Sequence, residues 1–181
     1  SYHAALTASY LFERLAKVRT KVEVASEFRY RKPYLNKNSL FIVISQSGET
    51  ADTLEALRIA KEAGLRTLAI CNVDNSSIVR LADNTLLTRA GIEKGVASTK
   101  AFATQIIVLW MLVLQMASAK GSISKKELDH EIKTLLHIPQ ILNIDNSLQE
   151  KLHRLSKHYL HGHGFFFIGR DIFYPLALEG A

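Results

Sequence analysis

Residues 39–54, Ser-Leu-Phe-Ile-Val-Ile-Ser-Gln-Ser-Gly-Glu-Thr-Ala-Asp-Thr-Leu, set a strand, a hydroxyl-rich turn and a helix start in immediate succession. Leu40 to Ile44 is a short apolar run rich in β-branched residues, as expected of a strand covered on both faces. Ser45, Gln46, Ser47 and Thr50 then crowd four side-chain hydrogen-bond donors around Gly48, where the backbone can bend and a ligand can approach closely. From Ala51 the pattern turns helical, with Leu54, Leu57, Ile59 and Ala60 on or near one face. The unpaired N–H groups and the positive end of that helix point back at the turn, which is how a protein holds an anion.

The same residues would also serve as a plain helix cap and tight connection. No Lys stands inside the turn and no Gly-x-x-x-x-Gly-Lys-Ser/Thr spacing occurs, so a nucleoside triphosphate with magnesium does not suit it. A neutral cradle of hydroxyls and amides points to a phosphate monoester on a small metabolite. Glu49 and Asp52 could be read as an acid/base pair. In the first turn of a helix they more simply favour its dipole, and a carboxylate facing a phosphate would repel it.

Strand and helix signals alternate along the chain, which argues for βαβ units and a parallel sheet, an α/β fold. Tyr2 to Lys17 reads as a helix and Val22 to Ala25 as a short strand. The helix from Ala51 to Ala63 is closed by Gly64. Thr67 to Cys71 is the next strand, Asn75 to Ala82 holds a short helix, and Thr85 to Thr88 is an edge strand. A long apolar helix starts at about Ser98 and ends at Gly121. Lys125 to Leu136 and Leu148 to Leu160 are amphipathic helices separated at Pro139, and Phe165 to Gly169 is a further strand.

A chain of 181 residues, 48% hydrophobic and 22% charged, can bury a core of its own. Its net charge of +6 comes from Lys and Arg scattered along the sequence, so nucleic-acid binding is not expected and attraction of an anionic substrate is the milder use. Cys71, the one cysteine, excludes an intramolecular disulfide and, at the end of an apolar strand, reads as a buried core residue. The start, Ser-Tyr-His-Ala-Ala, has no signal-peptide pattern. The longest apolar run, Ile106 to Leu114, is nine residues against about twenty for a membrane span. A cytoplasmic protein without a membrane anchor is the expectation.

A second candidate segment is Gly91-Ile-Glu-Lys-Gly-Val-Ala-Ser-Thr-Lys100. Its two glycines permit unusual dihedrals, Val96 and Ala97 can offer main-chain groups to a ligand, and Ser98 and Thr99 can cap the following helix. His158, His161 and His163 have loop spacing that would admit a metal, but no Cys or carboxylate accompanies them, so no metal is assigned.

Ser45-Gln-Ser-Gly-Glu-Thr-Ala-Asp-Thr-Leu54 resembles the phosphate-gripping turn of the sugar isomerase (SIS) domains. Together with Ser26-Glu-Phe-Arg-Tyr-Arg31, Ala69-Ile-Cys-Asn-Val73, Gly95-Val-Ala-Ser-Thr-Lys-Ala-Phe102 and Tyr174-Pro-Leu-Ala-Leu-Glu-Gly-Ala181, it resembles the isomerase half of the glutamine:fructose-6-phosphate aminotransferase family. The resemblance runs through nearly the whole chain and implies the SIS-type fold: a three-layer sandwich with a central, mainly parallel sheet flanked by helices, flavodoxin-like. It implies that Ser45, Gln46, Ser47 and Thr50 hold the phosphate of fructose 6-phosphate or glucosamine 6-phosphate, with Ser1, Val96 and Ser98 nearest the sugar. It divides the chain into a first SIS subdomain, 1–138, and a linker with the start of a second, 139–181. The isomerisation base, the ring-opening histidine and the Schiff-base lysine of the family are expected beyond residue 181, so no catalytic residue is assigned within the chain. No cofactor is implied. A glutaminase domain in the same full-length chain and a homodimer are. Another SIS sugar-phosphate isomerase or deglycase, or a non-catalytic phosphosugar sensor, would carry the first motif equally well.

Overall fold

The computed structural model describes residues 1–95 and 98–181. Three strands, β1 (Leu40–Ser45), β2 (Arg66–Cys71) and β3 (Asn84–Leu87), form a parallel sheet in the order β1-β2-β3. The helices before and between them are α1 (Tyr2–Arg14), α2 (Ala25–Tyr30), α3 (Ala51–Glu62) and α4 (Ser77–Leu81). After β3 come α5 (Thr99–Lys120), α6 (Lys125–Ile141), α7 (Asn146–His158) and α8 (Tyr174–Gly180).

Alternation along β1 sorts the layers. Ile42 and Ile44, with Ile70 of β2, pack under α1 and α5, whose seam is Ala4, Ala8, Phe12 and Ala16 against Leu109, Val113 and Ala117. Val43, with Ala69 of β2, points the other way onto Leu57 of α3 and Ile78 of α4. Ala4, Ala8, Phe12 and Ala16 recur at every fourth position along α1 and the residues just after it, so they share one side, and the three alanines let the bulkier α5 side chains approach closely. Helices thus cover both faces, as a parallel sheet requires.

By length and composition α5 could cross a membrane. Here its Leu109, Val113, Leu114 and Ala117 are core residues, and Met111 is its exposed large apolar side chain. Gly121 ends it in the left-handed conformation at φ +65°.

Three sequence expectations are corrected. Val22–Val24 has no ladder partner among the described residues and so is not a strand, and Ala25 already belongs to α2. Phe165–Gly169 likewise pairs with no strand among the described residues, and its Phe166 and Ile168 are almost wholly exposed. Pro139 does not separate helices. It sits near the C-terminal end of α6, where it removes a single hydrogen bond to the preceding turn with little helix left to disrupt, and the helix runs on to Ile141. α8 and the short turn before it (Asp171–Phe173) return to α1, with His3 Nδ1 2.7 Å from Glu179 Oε2 of α8 and Arg14 donating to Asp171 of the turn at 2.8 Å.

Candidate functional site

Ser45 of β1 pairs with Cys71 of β2, and Cys71 with Leu87 of β3, so the turn 45–50, the segment after Cys71 and the exit of β3 all leave from one carboxyl edge. Ligands of open α/β sheets bind at that edge. α3, α4 and α5 each follow a strand and therefore begin there.

Gly48 is the pivot of the turn. It is buried at φ +71°, and a Cβ there would overlap the Ser76 hydroxyl and come within 2.8 Å of Cys71 Sγ. Its carbonyl accepts the Ile78 N–H at 3.0 Å, and Gln46 O accepts the Asn72 N–H at 3.3 Å, so the turn is fastened to the segment after β2. Ser45 is buried, and its Oγ accepts the Gly48 N–H at 3.0 Å; it shapes the turn while retaining its own hydroxyl proton. Ser47 Oγ accepts the Glu49 N–H at 3.2 Å. Thr50 stands at the N-cap of α3 without capping it through its side chain, leaving the first-turn N–H groups of Ala51, Asp52 and Thr53 without an intrahelical acceptor. Gln46, Ser47 and Thr50 thus surround a helix start with donors to spare.

The two carboxylates are drawn away from that cradle. Glu49 Oε1 accepts the Ser77 N–H at 2.7 Å, and the Ser77 hydroxyl and amide hold Glu49 below the usual carboxylate range. Asp52 pairs with Arg29 of α2 at 2.8 Å. Neither is arranged as the acid/base pair that sequence alone allows.

Ser98 occupies the N-cap position of α5 in the left-handed conformation, φ +50°, and its side chain caps nothing. Glu93 Oε2 instead accepts the Ala101 N–H at 3.4 Å. Val96 lies outside the described residues. Ser1 stands at the N-cap position of α1 with an exposed side chain. The C-terminal ends of α1 and α5 are tied by Ser122 Oγ to Leu15 O at 2.7 Å and Lys120 Nζ to Lys17 O at 3.0 Å. The two helices therefore run in the same sense, and Ser1 and Ser98 both open toward the carboxyl side of the sheet.

Sequence reasoning overlooked Asn72. Its Oδ1 accepts from the Thr88 hydroxyl at 3.1 Å and the Ala90 N–H at 2.7 Å, and its Nδ2 donates to Gly91 O at 2.8 Å. The available signal was position: a polar residue directly after a buried strand, at the edge where such sheets bind ligands. Among the described residues no three His, Cys, Asp or Glu side chains gather as a metal site.

Residues 1–115 match the sequence profile described as the SIS domain. The chain is 68% identical over 181 residues to a glutamine–fructose-6-phosphate aminotransferase (isomerizing) of Campylobacter jejuni and 56% identical over 181 residues to one of Helicobacter pylori. It is covered completely in both comparisons but spans 30% of the length of each of these curated relatives. Among solved structures, it superposes with a TM-score of 0.96 and 43% identity on the C-terminal domain of glucosamine-fructose-6-phosphate aminotransferase from Francisella tularensis. That match covers 100% of this chain and 51% of the other.

Proposed function

The chain belongs to the SIS domain family, and on that premise we propose that it is the phosphosugar-binding part of the isomerase domain of a glutamine:fructose-6-phosphate aminotransferase. The full-length enzyme makes glucosamine 6-phosphate from fructose 6-phosphate and glutamine, with ammonia released in a glutaminase domain of the same chain. It works as a homodimer in the cytoplasm, without a membrane anchor. The division at residues 138 and 139 into a first SIS subdomain and a linker leading to the second belongs to the same reading.

The observation that carries the proposal is the cradle between β1 and α3. Ser47, Gln46 and Thr50 flank the uncapped α3 start, Ser45 braces Gly48 from below, and both nearby carboxylates are engaged elsewhere. A phosphate dianion there meets N–H and O–H donors and the positive helix end with no facing negative charge. The cradle carries no formal cation, so it positions the sugar through its phosphate and leaves the reacting carbons to other groups. Ser1 and Ser98, opening toward the same side, take the sugar hydroxyls, and Val96 is assigned to the same role. Moving a proton between adjacent carbons needs a base. We assign it, with the ring-opening histidine and the Schiff-base lysine, to the remainder of the full-length enzyme.

The test is calorimetric titration with glucosamine 6-phosphate. A hydrogen bond to a charged group contributes about 1.5–3 kcal/mol, so Ser47→Ala should weaken binding about tenfold or more. Unchanged affinity in that variant would remove the turn from the site. No saturable binding to the unaltered chain would remove the phosphosugar reading altogether.

A further inference from the structure

Asn72 touches both loops at the carboxyl edge, and it does so with different parts. Its main-chain N–H donates to Gln46 O in the phosphate turn at 3.3 Å. Its side chain makes three hydrogen bonds to the exit of β3, at Thr88, Ala90 and Gly91. That amide uses its oxygen twice and its nitrogen once on a segment 16 to 19 residues away. Thr88 is buried, whereas Arg89 and Gly91 are exposed and Gly91 is left-handed at φ +71° with no atom near its Cβ position. The Thr88 N–H is held by Cys71 O at 2.9 Å, but beyond it the chain has left the sheet. The Asn72 side chain therefore sets the direction in which residues 89–91 depart toward α5.

We propose that Asn72 is a positioning residue that fixes the β3 exit relative to the phosphate turn, so that a ligand anchored by its phosphate meets the second loop at a set distance. This rests on the phosphosugar reading above. The chemistry is specific to an asparagine: two acceptor contacts and one donor contact in one plane, from a side chain too short to swing. An aspartate would keep the two acceptances and oppose its second oxygen to the Gly91 carbonyl. An alanine would free the exit while leaving the main-chain tie to Gln46 intact.

The separation of main-chain and side-chain roles gives the test. In Asn72→Ala, titration with glucosamine 6-phosphate should show affinity reduced about fivefold or more, as expected for losing positioning hydrogen bonds. Inorganic phosphate, which reads the turn alone and is followed by its amide chemical-shift changes, should bind as before. Hydrogen exchange supplies a readout independent of ligand: the Ala90 amide should lose protection at least tenfold while the Thr88 amide, bonded to Cys71 O, keeps it. Asn72→Asp should fall between the two and serves if the alanine variant does not fold. Equal affinity for the sugar phosphate in wild type and variant would overturn the inference, as would parallel loss for both ligands, which marks a fold-wide effect. A wild-type chain that binds neither ligand would instead bring down the phosphosugar reading on which the inference stands.

Discussion

Glu49 and Ser77, 28 residues apart, are joined by a 2.7 Å hydrogen bond from the Ser77 N–H to Glu49 Oε1. The bond caps α4 with a side chain from the turn 45–50 and turns the one carboxylate inside that turn away from its mouth. Glu49→Gln keeps an acceptor for Ser77 and should leave glucosamine 6-phosphate affinity within about twofold. Glu49→Ala removes it, and the turn loses a tie to α4. Affinity should then fall several-fold, measured by calorimetry. Equal affinities for the alanine variant and the wild type would show that the bond does not shape the site.

Gly48 and Gly64 both have φ above +70°, yet a methyl group would meet different surroundings at each. At Gly64 nothing lies within 4 Å, so Gly64→Ala should cost about 1–2 kcal/mol from left-handed backbone strain alone. At Gly48 the new Cβ would strike Ser76 and Cys71, which lie in the packed interior under the turn. Gly48→Ala should therefore cost about 3 kcal/mol or more, strain and overpacking together. Urea unfolding of the two variants gives the comparison, and similar losses at both positions would mean that the turn yields where the packing says it cannot.

The contrast explains how much of the site was legible in the sequence. The β1–turn–α3 unit was, because its signals are local: a β-branched run, Gly48, and an apolar stripe starting at Leu54. What holds the turn was not. Ser76 under Gly48, the Ser77 amide on Glu49 and the Asn72 side chain on residues 88–91 are contacts between segments that only the sheet brings together. The misread strands fail for a related reason. Val22–Val24 and Phe165–Ile168 have strand composition, but a strand is defined by its partner, and neither has one among the described residues. The continuation of α6 through Pro139 reflects degree: proline near a helix end removes one bond, whereas the sequence rule treats it as a stop.

Assembly should show in solution. α5 packs on α1 and the sheet, while exposed apolar side chains stand on α6, on α7 and in the segment 165–168: Leu136 is 71% exposed, Leu152 52% and Phe166 96%. α7 presents Leu148, Leu152 and Leu155 along one face. We expect the 181-residue chain to self-associate at micromolar concentration and Leu152→Glu with Leu155→Glu to reduce that association. Sedimentation velocity across a concentration series decides it; a single monomer boundary throughout for the unaltered chain would contradict the expectation.

Acid stability should single out Asp83. Its carboxylate accepts from Lys61 Nζ at 2.6 Å and from the Thr67 N–H and hydroxyl at 2.8 Å each, and Thr67 Oγ1 in turn accepts the Asp83 N–H at 3.0 Å. This exchange fastens the start of β3 to β2. The Lys61 ammonium, then the Thr67 amide and hydroxyl, lower the Asp83 pKa from 3.8 to about 2. The folded chain thus binds this proton less readily than the unfolded chain. Its stabilising contribution is complete above the unfolded pKa and is lost as pH falls from about 4 toward 2. Asp83→Asn keeps an acceptor for the Thr67 amide but carries no charge for Lys61 and no proton equilibrium in this range. The difference in urea midpoint between wild type and Asp83→Asn should accordingly be widest at neutral pH and close across that acidic window, whereas carboxylates common to both proteins, Glu49 and Glu127 among them, cancel in the comparison. A difference that stays constant down to about pH 2 would show that the charged form of Asp83 is not what holds β3 in place.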